Sequence, residues 1–191
     1  MAHRDEDGPW VFNTRELVRR PGTMRTVSRT IEAPEAIGTD VIAIAQGAPV
    51  DLQVRMESVV EGVLATGDVQ AAATGLCVRC LDEVVVDVDV TVQELFAYPD
   101  RAAHHHQVGD TEHEEERHEL DQDLMDLEPV VRDAVVTTLP FQPVCRDDCP
   151  GLCAQCGARL ADDPEHDHDL IDPRWAALAD LTSSTDNEKR T

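Results

Sequence analysis

Aromatic side chains and positive charge are both scarce in these 191 residues. Trp10, Phe12, Phe96, Tyr98, Phe141 and Trp175 are the whole aromatic complement. Any core is therefore aliphatic, built mainly from Val and Ala. Lys and Arg number 16 against 39 Asp and Glu, a formal charge of −23. That balance opposes direct binding to a phosphate backbone, because nucleic-acid affinity comes mainly from cations that displace counterions. It suits basic protein partners or plain solubility. No apolar run approaches the ~18 residues of a membrane span. The opening Met1-Ala-His-Arg-Asp-Glu-Asp7 lacks the apolar stretch of a secretory signal. The expected compartment is the cytoplasm. Thiols stay reduced there, so clustered cysteines read as metal ligands rather than disulfides.

What is present is a period of two. Val50, Leu52, Val54 and Met56 alternate with Asp51, Gln53, Arg55 and Glu57, the pattern of a half-buried strand. The register slips near Ser58-Val59, which predicts a bulge and a strand running on to about Thr66. Gly67-Asp68 reads as a turn, Val69–Leu76 as a second strand, Cys77-Val78-Arg79-Cys80 as the next reversal and Val84–Phe96 as a third strand. Thr26–Ile31 reads as an earlier strand. Asn13-Thr14-Arg15-Glu16 resembles a capping box opening a short helix, Thr14 to about Arg19, ended by Pro21-Gly22.

Residues 99–118 are acidic, His-rich and aperiodic, which predicts a flexible loop. Its triplet His104-His105-His106 is a poor metal site, since adjacent side chains do not easily converge on one ion. Further on, Asp126 is placed as an N-cap with Pro129 in the first turn. Leu127, Val130, Val131, Ala134, Val135 and Thr138 then form one helical face, stopped by Pro140 and suited to packing on the sheet. A last short helix opens at Asp172-Pro173 and carries Trp175, Leu178 and Leu181. The expected fold class is α+β: a curved antiparallel β-meander sheet packed by a helix, with a C-terminal zinc-knuckle segment and a short terminal helix. A single domain is expected over 10–181. Its sheet part is about 26–98, its acidic loop 99–118 and its helix-plus-knuckle part 119–181, with disordered tails at 1–9 and 182–191.

The chemistry-bearing residues lie between the two helices. Cys145, Cys149, Cys153 and Cys156 fall within twelve residues, and Gly157 follows directly. His166 and His168 come ten residues later. Zinc takes four soft or borderline ligands in a tetrahedron, and Cys-x2-Cys lets one turn supply two of them. The surrounding loop is poor in apolar residues, so a metal would have to supply its ordering free energy, about 10–16 kcal/mol in isolated zinc peptides. Upstream, Cys77 and Cys80 repeat the Cys-x2-Cys spacing. Such a pair is half a zinc site or a redox motif. Redox pairs usually sit at a helix N-terminus, where the dipole lowers the thiol pKa. No helix is predicted after Cys80, which favours half a zinc site. Eight candidate ligands make two sets of four: Cys77, Cys80, Cys145 and Cys149, then Cys153, Cys156, His166 and His168. The simpler alternative is one site of Cys145, Cys149, Cys153 and Cys156, with the histidines as surface groups. In both divisions the ligand sets are closed, so the metal, one or two zinc ions, is structural rather than catalytic.

Cys77-Val-Arg-Cys80-Leu81, the run from Leu139-Pro140 to Cys145, the knuckle Gly151-Leu152-Cys153-x2-Cys156-Gly157 and the closing Asp172-Pro173-Arg174-Trp175 together resemble the YceD-like family. Its members are large ribosomal RNA subunit accumulation proteins. The resemblance spans roughly residues 10–181. Many members carry Cys-x-Cys where this chain has His166-Asp167-His168, an exchange that a pair of zinc ligands tolerates. The resemblance implies a non-enzymatic role in accumulating large-subunit (23S) ribosomal RNA and in ribosome assembly. It brings no catalytic residues, and Ser58 has no histidine near it in sequence. A basic ribosomal protein or a large-subunit precursor is the expected partner, held by acidic surface. Residues 104–128 carry ten carboxylates and one arginine. No membrane and no small-molecule substrate is expected. A zinc knuckle that binds RNA directly, with only Arg146 and Arg159 near the cysteines, and a thiol switch through Cys77 and Cys80 are the alternatives.

Overall fold

Alternating apolar and polar residues build eight strands, and one 3.6-period stretch builds a helix, in a computed structural model that describes residues 8–100 and 118–168. The strands are β1 (Val11–Asn13), β2 (Met24–Glu32), β3 (Ile37–Gly38), β4 (Ile42–Ile44), β5 (Pro49–Ser58), β6 (Gly62–Leu76), β7 (Glu83–Ala97) and β8 (Leu124–Asp126). The helix, α1, is Glu128–Thr138. The expected acidic loop, apart from its ends, lies outside the described residues, as do the His104–His106 triplet, most of both tails and the Asp172 helix.

β5, β6 and β7 form the expected meander, and β2 adds to the far edge of β5. The fifteen-residue β6 is the hub. One edge pairs with β7 along its whole length. The other pairs with β5 over Val63–Ala71 and then with β4 at Thr74 and Gly75. All pairings are antiparallel. β1 and β8 form a separate two-stranded ribbon, a pairing across more than a hundred residues that no local pattern announces.

Period two puts Val50, Leu52, Val54 and Met56 on the buried face of β5, opposite Ala71, Val69, Gly67 and Ala65 of β6. α1 packs on β7 and β3. Leu127, Val131 and Val135 are buried under it, with Val130 and Ala134 half-buried against the core. Phe12, Leu17, Ile44, Met56 and Phe96 fill the remaining space. Burying an aliphatic or Phe side chain of this size is worth about 1.5–3 kcal/mol, so this layer dominates the stability of the sheet. The curved antiparallel sheet with its helix fits the α+β class.

Three sequence expectations change. The first reversal is not at Gly67-Asp68, and there is no bulge at Ser58. β5 stops at Ser58, the turn is Val59-Val60-Glu61-Gly62, closed by Val59 N–H donating to Gly62 O (2.9 Å), and β6 runs straight through Gly67. Gly67 sits between Val54 and Val92 on the neighbouring strands. A Cβ there would lie 3.1 Å from one valine methyl and 3.7 Å from the other, so the glycine makes room for two β-branched neighbours rather than a turn. Second, the expected Thr14–Arg19 helix is only a 3-10 turn, Arg15–Leu17. Asn13 Oδ1 accepts from Arg15 N–H (2.9 Å), but Glu16 turns away to Arg25 (2.8 Å), and positive φ at Val18 and Arg19 ends the turn. Third, α1 buries Leu139 rather than Thr138. Thr138 is exposed and its hydroxyl bonds back to Ala134 O (2.9 Å). The N-cap position falls to Leu127 rather than the expected Asp126, whose Oδ1 nevertheless accepts from Glu128 N–H (3.0 Å), and the residue before Pro140 is extended as the ring requires.

The chain divides into two units, Met1–Cys149 and Pro150–Thr191. The first holds everything above. In the second, the described residues form a short loop-and-turn segment with one bridge between Leu152 and Arg159.

Candidate metal centre

The end of β6 and the start of β7 place the first cysteine pair. Between Leu76 and Glu83 the backbone makes a tight knuckle. Leu81 N–H donates to Cys77 O (2.9 Å) and Cys77 N–H to Asp82 O (2.7 Å). β7 follows Cys80 at once, with no helix N-terminus at the pair. The segment after α1 is tied to this knuckle by Val78 N–H donating to Pro143 O (2.9 Å). Arg79 completes the link, its guanidinium donating to Asp147 O (3.0 Å) and Cys149 O (3.1 Å). Sequence reasoning missed this clamp, because nothing local in Val-Arg-Cys says where the arginine reaches.

The result is a group of four sulfurs, Cys77, Cys80, Cys145 and Cys149, all within 4.8 Å of one another. Cys80 and Cys145 sulfurs are 3.6 Å apart and those of Cys77 and Cys149 are 3.9 Å apart. Four thiolates at about 2.3 Å from one zinc ion stand about 3.8 Å apart along each tetrahedral edge. The observed separations bracket that value and far exceed the ~2.0 Å of a disulfide. Cys77, Cys80 and Cys149 are buried, and they pack with Val84, Val86 and Val144 in a small apolar cluster distinct from the main core.

The second group, Cys153, Cys156, His166 and His168, belongs to the C-terminal unit and is partly exposed. Its knuckle repeats the first: Gly157 N–H donates to Cys153 O (2.8 Å) and Cys153 N–H to Ala158 O (2.7 Å). Both histidines turn Nε2 toward Cys156 Sγ, at 3.2 Å each, with the two Nε2 atoms 2.9 Å apart. These are somewhat shorter than the ~3.3–3.6 Å edges expected around zinc with nitrogen and sulfur ligands. The donor types and their convergence fit a four-coordinate ion. The eight side chains thus assemble in the two-set division.

One sulfur in each group is set up as an anion. At Cys77 burial opposes the thiolate, but N–H donors from Cys145, Cys80 and Arg79 outweigh it and bring the pKa down to about 6. At Cys153 the N–H groups of Cys156 and Gln155 bring it down to about 6 against partial burial. At Cys80 an Asp82 N–H favours the thiolate, but burial and the neighbouring thiols raise the pKa to about 12. Cys149 likewise raises that of Cys145. A cation held by either group would meet a first thiolate among crowded thiols, and its binding would release the remaining protons.

Ser58 carries no comparable chemistry. It ends β5, fully buried, and shares a hydrogen bond of 3.1 Å with the Tyr98 hydroxyl.

The family model described as large ribosomal RNA subunit accumulation protein YceD matches residues 65–182, a span that contains all eight candidate ligands. The chain belongs to the YceD family. Within it, an uncharacterized protein of Mycobacterium tuberculosis strain H37Rv is 48% identical over 180 residues, which cover 94% of this chain and 84% of that protein. An uncharacterized protein of Mycobacterium leprae is 44% identical over 188 residues, covering 95% and 84%. No solved structure matches. The YceD match starts inside β6, so β1 to β5 lie outside it, whereas the mycobacterial relatives match nearly the whole chain. Among the described residues no helix is long and apolar enough to cross a membrane.

Proposed function

We propose that this YceD-family chain is a non-enzymatic cytoplasmic factor that supports accumulation of large-subunit (23S) ribosomal RNA and ribosome assembly, held in shape by two structural zinc ions. Cys77, Cys80, Cys145 and Cys149 hold one ion. Cys153, Cys156, His166 and His168 hold the other. Each ion contributes ordering free energy and no chemistry, because four protein donors leave no position for a substrate or an activated water. The observation that carries the ribosomal reading is the family match over residues 65–182. The factor acts by binding a basic ribosomal protein or an assembly intermediate, for which the charge of −23 is suited.

Two measurements test this. In a strain lacking the gene, the ratio of 23S to 16S ribosomal RNA is expected to fall and to recover with the wild-type chain. A ratio that does not change in the deletion strain removes the ribosomal role. Elemental analysis of the purified chain is expected to give two zinc ions, falling to one in His166→Ala/His168→Ala. One ion that persists in this variant would make the histidines surface groups.

A further inference from the structure

The two Cys-x2-Cys knuckles have the same backbone but end on different residues. The position after the second cysteine is left-handed in both, with φ 63° at Leu81 and 74° at Gly157. Glycine adopts this conformation freely, while a leucine is strained in it. Burial of the side chain could offset the strain, but Leu81 is 60% exposed. An exposed apolar residue held in a strained conformation points to a role directed outward. Its surroundings agree. Val78 in the same turn is exposed, as are Leu76 at the end of β6 and Val85 on β7, both on the sheet face away from the core. Phe141, 87% exposed, belongs to the segment that the Val78–Pro143 bond ties to this turn.

β7 adds a second observation. Among the described residues it pairs only with β6, apart from Ala97, which bonds His118 and Leu120. Among the described residues its outer edge from Glu83 to Phe96 is unpaired and offers backbone donors and acceptors to an extended chain. Glu83, Asp87 and Asp89 stand exposed on its outer face, while Val84 and Val88 are buried on its inner face with Val86 half-buried between them. The like charges oppose edge-to-edge pairing of two copies and favour a strand bearing Lys or Arg. Acidic side chains that merely guard an edge would explain the carboxylates, but neither the strained, exposed Leu81 nor the exposed Phe141.

We propose that the Cys77–Cys80 knuckle and the open edge of β7 form a docking surface for an extended polypeptide segment in which basic and apolar side chains alternate. Outer-face Lys or Arg would meet Glu83, Asp87 and Asp89, inner-face apolar residues would continue the row Val84, Val86 and Val88, and Leu81 and Phe141 would anchor the end. This deepens the reading of a basic protein partner and rests on it.

The test is fluorescence anisotropy of a labelled dodecapeptide of alternating Lys and Val against the zinc-loaded full chain, compared with a Ser–Val counterpart. The Lys–Val peptide is expected to bind at least tenfold more tightly than the Ser–Val peptide. Leu81→Gly and Phe141→Ser are each expected to weaken it at least tenfold. Zinc content should be unchanged in both, and the melting temperature of Leu81→Gly should equal or exceed wild type, since glycine relieves the left-handed strain. Equal binding by wild type and both variants overturns the proposal. So does displacement of the Lys–Val peptide by a 20-nucleotide single-stranded RNA whose own binding is lost in Leu81→Gly, which would make this a nucleic-acid surface. The titration involves no ribosome, so its failure leaves the 23S reading standing, and failure of that reading does not alter the titration.

Discussion

Cys149→Ser is expected to reduce bound zinc from two ions per chain to one and to destabilise the chain by more than about 4–5 kcal/mol, the range reserved for loss of a metal or a comparable defect. Cys149 is buried, and its sulfur lies 3.9 Å from that of Cys77, seventy-two residues earlier. An ion there would tie the β6–β7 knuckle to the segment after α1, and its binding energy would count as folding energy, with the ~10–16 kcal/mol of isolated zinc peptides as an upper limit. The loss should begin locally, because the cysteines pack in their own small cluster with Val84, Val86 and Val144 rather than in the main core. Hydrogen exchange is therefore expected to accelerate over residues 76–86 and 139–149 while β5 stays protected. Cys156→Ser should also remove one ion but cost less, since that group is partly exposed and closes only the stretch from Cys153 to His168. Two zinc ions and an unchanged melting temperature in Cys149→Ser would exclude Cys149 as a ligand.

Phe96→Ala is expected to cost about 3–5 kcal/mol, the usual range for emptying a phenylalanine site in a core. Phe96 is 1% exposed, pairs with Val63 across β6 and β7, and lies 5.4 Å from the His118 ring between centroids. For a chain of this length that loss lowers the melting temperature by about 6–20 °C. Zinc content should stay at the wild-type value, because Phe96 belongs to the main core cluster and the cysteines do not. Calorimetry with elemental analysis on the same sample checks both points. Loss of zinc together with stability would mean that the sheet core and the first centre fold as one unit. Phe96→Leu, which keeps most of the volume, is expected to cost under about 1.5 kcal/mol.

The sequence by itself determined the elements whose signals are local. Alternation over Val50–Glu57 and Val84–Phe96 marks one face for burial whatever the strands pair with, because successive side chains in a strand point to opposite sides. The 3.6-period face around Val131 and Val135 does the same for α1, and Pro140 ends it by excluding a helical conformation at Leu139. The pairing of Cys77 with Cys80 and of Cys153 with Cys156 was legible too, since Cys-x2-Cys spacing brings two sulfurs to one turn without help from the rest of the fold, but that spacing left open the choice between two sets of four and one site of the four clustered cysteines. Tertiary structure alone decided where β5 turns. Gly67-Asp68 is a good local turn signal, but Val54 and Val92 press on that glycine from both sides, and pairing the apolar faces of β5 and β6 moves the reversal to Val59–Gly62. It alone joined β1 to β8, and Cys80 to Cys145 across sixty-five residues, through the Arg79 clamp and the Val78–Pro143 bond. The physical reason is shared. Contacts between distant segments are set by which apolar faces and orphaned backbone groups must be satisfied together, and no window of neighbouring residues contains both partners.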